Sequence, residues 1–227
     1  MAFSLFLTFR LPGDATLPEA EHAQFTAIVR ATPGMRQTLL YTPAVARDPY
    51  LDDGAPPALA VEMVFDAIGP LEAALAPAGH LHAITGLPAL AAAEATHQAM
   101  VRRAFPVADP VFRTPPGGQP CTYLVAYDGE ADDRDAWLAH YVAHHPPIMA
   151  RFPGIRQIEI CTAFDCVSHL KLPRARCLQR NKVVFDSAAA LDAALNSPTR
   201  HEMRADFRRF PPFRGSNTHF AMHTRTI

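Results

Sequence analysis

The stretch HHPPIMARFPGIRQIEI, residues 144–160, decides the fold because it occurs twice, once whole and once eroded. Pro153-Gly154-Ile155-Arg156-Gln157 is echoed by Pro33-Gly34-Met35-Arg36-Gln37, a displacement of 153 − 33 = 120 residues. The same displacement carries Val64-Phe65-Asp66 onto Val184-Phe185-Asp186, and Leu71, Ala74 and Leu75 onto Leu191, Ala194 and Leu195. Three blocks in one register are hard to obtain by chance, so the chain reads as two copies of one unit. A shorter echo sets Thr96-His97-Gln98-Ala99-Met100 against Thr218-His219-Phe220-Ala221-Met222, displaced by 218 − 96 = 122. The copies differ at the head of the stretch, where His144-His145-Pro146-Pro147-Ile148 aligns with Gln24-Phe25-Thr26-Ala27-Ile28. An intact copy beside one without these polar groups predicts one working site and one structural partner.

Working outward, Pro106–Pro120 is rich in proline and glycine and reads as a stiff linker. The predicted organisation is a first repeat over 1–105 with a degenerate site, the linker over 106–120, and a second, site-bearing repeat over 121–227. At 227 residues the chain has room for two units of ordinary domain size. In the first copy, alternation marks strands at Phe3–Phe9, Met35–Val45, Leu59–Phe65 and Thr96–Arg103, with a loop at Leu11–Asp14. Helices are expected from Pro18 to Ala31 and from Ala67 to Ala76, the latter capped by Asp66. The second copy predicts strands at Thr122–Tyr127, Ile155–Thr162, Leu178–Phe185 and Thr218–Thr224. Its helices start at Asp132 or Asp133 and at Ser187, the second capped by Asp186, and a further helical piece covers Pro198–Arg209. Asp165–Arg176 reads as irregular. The order β-α-β-β-α-β is of the ferredoxin-like type, giving an α+β class. Two helices cover one face of such a sheet, so the bare faces of the two copies are expected to pack face to face as a barrel and enclose a cavity.

Bulk chemistry narrows the function. A net charge of −1 gives no pull toward nucleic acid or an anionic membrane. No apolar run approaches the length of a membrane helix and no export signal is visible, which predicts a cytoplasmic protein. Arg204, Arg208, Arg209 and Arg214 read as a solvated helix face. Cys161, Cys166, His169 and Cys177 supply one loose cluster rather than two tight ligand pairs, so no metal is expected. The chain has no glycine-rich phosphate loop, dinucleotide fingerprint or GxSxG elbow, and nothing in it requires a nucleotide or flavin.

The helix ahead of Pro153 holds Trp137, Tyr141, His144, His145, Ile148 and Phe152 at spacings of three and four. His145 takes the slot of Phe25 and is expected to be buried near the sheet, where an imidazole can act as a general acid or base. Pro146-Pro147 should end or bend that helix. Tyr123, Trp137, Tyr141, His144 and His219 are the candidate substrate contacts, with His223 free to line the cavity beside His219. His97 and His219 recur in both copies, as do Arg36 and Arg156, which fits a shared structural role. The roles of His201, His223 and Arg156 stay open. Glu62 and Lys182 occupy aligned positions of opposite charge and can pair across the copies.

The run Trp137…His145-Pro146-Pro147-Ile148…Phe152-Pro153-Gly154-Ile155-Arg156 resembles the EthD-like family, named for ethyl tert-butyl ether degradation. The resemblance covers most of the second copy and, in the first, only the Pro-Gly turn, third strand and second helix. It implies a dimeric α+β barrel with both sheets supplied by one chain, and it singles out His145 alone as a carried-over site residue. The expected function is cofactor-independent proton transfer by His145 on a small apolar or aromatic ring compound, as an isomerase, cyclase or dehydratase. The alternatives are a non-catalytic binding protein for a hydrophobic metabolite, a cofactor-free monooxygenase, or a haem-binding barrel. A homodimer of the fused chain remains open.

Overall fold

A computed structural model describes residues 2–13 and 15–227; Asp14, read as part of a loop, lies outside them. Eight antiparallel strands close into one barrel in the order β1-β3-β2-β8-β5-β7-β6-β4. The strands are β1 (Ala2–Arg10), β2 (Met35–Pro43), β3 (Leu59–Phe65), β4 (Glu94–Phe105), β5 (Cys121–Ala131), β6 (Ile155–Ala163), β7 (Cys177–Phe185) and β8 (Phe213–Thr226). Residues up to 105 supply four neighbouring strands and residues from 121 supply the other four. The seams are β2 against β8 and β4 against β6. Closure leaves no open edge for another chain to pair with.

Among the described residues six α-helices lie on the outside: α1 (Glu19–Arg30), α2 (Ile68–Leu75), the short α3 (Pro88–Ala91), α4 (Arg134–Met149), α5 (Ala188–Leu195) and α6 (Pro198–Phe207), with a 3-10 helix at His80–Gly86. Alternation along β1 explains why. Leu5, Leu7 and Phe9 pack with Phe25, Val29, Leu71 and Leu75 of α1 and α2, while Phe6 belongs to the barrel interior with Tyr41, Met100, Leu124, Phe220 and Met222. With helices on one side and barrel on the other, every residue of β3 is buried.

The bare faces do meet, and the cavity that holds His145 lies outside the barrel rather than between them. The barrel interior is filled by that apolar cluster and by a buried charge network. Lys182 is ion-paired to both Glu62 and Glu159. Glu62 also accepts from Ser4 Oγ at 2.6 Å and Tyr41 OH at 2.8 Å, while Arg102 Nη2 lies 3.2 Å from Glu159 Oε1. The aligned Glu62 and Lys182 therefore pair in the centre of the molecule.

Two predicted caps are replaced. Asp66 turns to Arg36 at 2.8 Å and makes no cap on α2. Asp186 takes Arg156 Nε at 2.9 Å and the Arg113 amide at 2.7 Å, and Ser187 caps α5 through the Ala190 amide. In each case a guanidinium offers the carboxylate a stronger, charged donor than a helix amide does. Arg156 also reaches Asp109 Oδ2 at 2.8 Å, tying residues 106–120, which hold no helix or strand, to the barrel. The paired strands β5 and β8 run beyond their predicted ends because Gly129 faces Gly215. A Cβ at either would lie 2.2 Å or less from the opposing carbonyl oxygen. Among the described residues no helix is long and apolar enough to cross a membrane.

Candidate active site

α4 starts at Asp133, whose carboxylate accepts from the Ala136 amide at 2.9 Å. Trp137, Tyr141, His145 and Met149 follow at intervals of four, so all share the face turned to β5 and β7, and all are buried. Pro146 and Pro147 neither end the helix nor start a loop. They lie inside its last turn, where Val142 O and Ala143 O lose their i+4 donors, and the Ala150 amide closes back on Pro146 O at 2.9 Å.

α6 packs beside α4 with Arg200, Met203 and Asp206 facing in, so the helix read as a solvated basic face is in fact half of the site. Of the four arginines read as solvated, Arg208, Arg209 and Arg214 are exposed, and Arg204, on α6 itself, is half-buried. His145 Nδ1 donates to Asp206 Oδ2 at 2.7 Å. Burial, the largest effect, holds the His145 pKa below its ordinary value against the opposing pull of Asp206, so the ring is neutral at pH 7. The hydrogen bond to His145 in turn holds Asp206 below the usual carboxylate range. With Nδ1 carrying the proton, Nε2 presents a lone pair, and among the described residues it has no protein partner.

His145 is part of the wall of a cavity of about 90 Å³ lying between α4, α6 and the outer face of β5, β7 and β8. That is room for several water molecules or a small ring. Tyr123, Val125 and Tyr127 of β5, Asn181 and Val183 of β7, and Asn217 and His219 of β8 form its floor. Met149, Phe152, Leu195, Met203 and Phe207 make the remainder largely apolar, and Arg200 and Arg204 add positive charge.

The roof comes from the first half of the chain. Residues 44–58, between β2 and β3, cross to the second half and place Leu51 against the cavity. Asp48 Oδ2 accepts from Tyr123 OH at 2.7 Å and Arg200 Nε at 2.8 Å. Asp53 Oδ2 accepts from the His219 amide at 2.8 Å and lies 3.0 Å from its Nδ1. Tyr50 lies under the guanidinium groups of Arg200 and Arg204, 5.2 and 4.6 Å from its ring centre, and its hydroxyl meets His201. Three polar groups turned to the cavity thus have a carboxylate behind them: Asp206 for His145, Asp53 for His219, and Asp48, shared with Tyr123, for Arg200. Burial, then the Asp48 charge, raises the Tyr123 pKa far above its ordinary value, so its hydroxyl stays protonated.

Of the expected contacts, Tyr123, His145 and His219 come together at the cavity. Trp137 and Tyr141 do not reach it; they stack on each other at 5.2 Å one layer behind, and Tyr141 OH accepts from Asn181 Nδ2 at 2.6 Å. His144 points to solvent and stacks on His140, because adjacent helical positions are turned roughly 100° apart. His223 is absent from the lining. Asp206, Arg200 and Asn181 were not foreseen. Arg200, Met203 and Asp206 stand at i, i+3 and i+6, but the charges among them hide the buried face, and Asp48, Leu51 and Asp53 gave no signal, since they approach from the other half.

The corresponding face of the first half is packed differently. Leu7 is paired with Val61 and His97 where Val125 is paired with Asn181 and His219. Phe25 is buried edge-on to Phe9 at 5.6 Å. The loop 164–176 crosses back over this half, burying Leu170 in its core, and His97 is held by Pro173 O and Ser168 Oγ. The loop that carries Cys166 and His169 is used for this packing. Among the described residues no group of three or more His, Cys, Asp or Glu is arranged to hold a metal ion.

No protein-family model and no curated protein matches the chain. Solved structures do. An anthrone oxidase-like protein superposes with a TM-score of 0.62 at 15% identity, over 99% of this chain and 92% of that one. A proposed monooxygenase from Fusobacterium nucleatum gives 0.63 at 6% identity, over 99% and 93%. At such identities the likeness shows a shared α+β barrel fold and nothing of the chemistry. An EthD family protein from Bacillus halodurans matches over 44% of this chain with a TM-score of 0.35, too low to weigh.

Proposed function

We propose that the chain is a small-molecule enzyme that removes a proton from an enolisable or phenolic ring compound, with His145 as the base and no cofactor. The observation that supports this reading is the buried His145–Asp206 pair, whose free Nε2 is turned to an apolar cavity that also holds Arg200. Asp206 fixes the tautomer that leaves Nε2 able to accept and stabilises the imidazolium once it forms. Arg200 is anchored through Nε by Asp48, so its terminal N–H groups are the natural partners for the oxygen on which negative charge develops. Tyr123 and His219 orient the ring, and the largely apolar wall and the roof of residues 44–58 exclude water. Returning the proton to another atom gives isomerisation or cyclisation; losing a hydroxide gives dehydration.

The names of the barrel neighbours favour a second outcome for the same carbanion. Dioxygen meeting it would convert a ring CH₂ to C=O with release of water, and an anthrone oxidase-like protein is among the structures that share the fold. We place the protein in the cytoplasm. We read the chain as two ferredoxin-like repeats, 1–105 and 121–227, joined by 106–120, in which the second kept the site and the first became its roof.

The test is a screen of small ring ketones and phenols by mass spectrometry with the wild type and His145→Ala. Turnover that disappears in a folded His145→Ala supports the assignment, and full turnover removes it. A ligand bound without product indicates a binding protein, and a Soret band in the purified protein indicates haem.

A further inference from the structure

Asp206 serves a second histidine. Its Oδ1 lies 3.3 Å from Nε2 of His140, on the opposite side from His145. This Nε2 is buried and makes no hydrogen bond of good geometry, so nothing but Asp206 is placed to use it. The rest of the His140 ring reaches the surface, its side chain 21% exposed, and it stacks face to face on exposed His144 at 4.5 Å and 14°. Phe210 closes the edges of both His140 and His145, at 5.4 and 4.9 Å, and keeps water out of the space between them. The remaining groups facing His145 are Tyr141 on α4, Arg200 on α6 and His219 on β8. None of these offers a proton a route outward, because Arg200 and His219 are each tied to a carboxylate of the roof.

We propose that His140 is a proton relay that connects the buried base to solvent through Asp206. The inference rests on His145 as the base. A substrate proton arrives on Nε2 of His145. The proton already on Nδ1 passes to Asp206 Oδ2; rotation of the neutral carboxyl group carries that proton to the His140 side, where it passes to the lone pair of His140 Nε2. His140 then gives its other ring proton to water. His145 is left protonated on Nε2 only; it returns to its starting form when that proton goes to a product oxygen and Nδ1 is refilled along the same path. No electrons are gained or lost; one proton is lent to solvent while the charge develops and is taken back when Nδ1 is refilled, so over the cycle the substrate proton ends on the product. His140 touches no substrate and acts only through Asp206.

The relay is tested without a substrate by the exchange of the His145 Nδ1–H with water, followed by NMR on ¹⁵N-histidine-labelled full-length protein. His140→Gln and His140→Phe keep the ring's volume in different ways, and the amide spectrum checks the fold. The relay predicts that both variants slow this exchange at least tenfold. It also predicts that added imidazole restores the rate in His140→Gln in proportion to its concentration. Exchange that is unchanged or faster in the folded variants overturns the relay, as does slowed exchange that imidazole does not relieve. Inactivity of wild type toward every ring compound counts against the proposed reaction and leaves this measurement standing, so the two ideas fail separately.

Discussion

Replacing Lys182 by methionine removes the one ammonium that both barrel carboxylates share. Lys182 is 1% exposed and Glu62 fully buried. Glu159 keeps Arg102 at 3.2 Å, but Glu62 is left with two hydroxyl donors and no cation. Breaking a buried pair on one side costs about 3–5 kcal/mol. An independent route gives a similar figure. Glu62 can escape by taking a proton, and protonating a carboxyl of pKa about 4.3 at pH 7 costs about 3.7 kcal/mol, at 1.36 kcal/mol per pH unit. For a chain of this size the melting temperature should fall by about 8–15 °C.

The pH dependence identifies the cause. In the wild type the folded Glu62 pKa is lowered, with burial opposing and Lys182 dominating the rest, so its contribution is present above the unfolded value and lost as pH falls through the folded one. The Lys182 pKa is raised, despite burial, by Glu62 and Glu159; its contribution is present below the unfolded value and lost only as pH rises through the folded one. Both are flat between pH 5 and 7. In Lys182→Met the folded state instead holds an extra proton, so its deficit should shrink to about 1 kcal/mol at pH 5. Urea unfolding at both pH values measures it. A deficit below about 1 kcal/mol at pH 7, or one independent of pH, refutes the reasoning. Replacing Glu62 by methionine as well should recover much of the loss, because no buried charge is then left unpaired.

Three further outcomes follow from the site and the barrel. Because burial lowers the His145 pKa, kcat/KM should be flat through neutrality and fall only below about pH 6.5, where the base becomes protonated; a rate rising from pH 7 to 9 would exclude this base. Asp48→Ala frees Tyr123 and Arg200 from the roof and should raise KM about tenfold, from loss of about 1.5 kcal/mol of charged hydrogen bonding; steady-state kinetics with an unchanged KM would show that the roof does not act on binding. Gly129→Ala, at φ +143° and 2.2 Å from Arg214 O, should cost more than about 2 kcal/mol, whereas Gly54→Ala, at φ +73° with open space around it, should cost about 1 kcal/mol. Thermal melts compare the two.

Residues 33–37 and 153–157, with the alternation of Phe3–Phe9 and Thr122–Tyr127, were enough to determine eight strands, their helices and the inward turn of His145. Each of these depends on local periodicity, which the order of residues records directly. Asp206 lay on a helix whose apolar positions are interrupted by charges, so periodicity could not separate its buried face from its solvated one. Asp48 and Asp53 were beyond reach for a stronger reason. Their partners, Arg200, Tyr123 and His219, stand more than 70 residues away in the chain and meet them only because closing the barrel carries the β2–β3 loop over the other half. Closure also decided where the cavity lies. The two bare sheet faces meet around an apolar cluster and a buried ion network, and the cavity that holds His145 lies outside them, under α4 and α6.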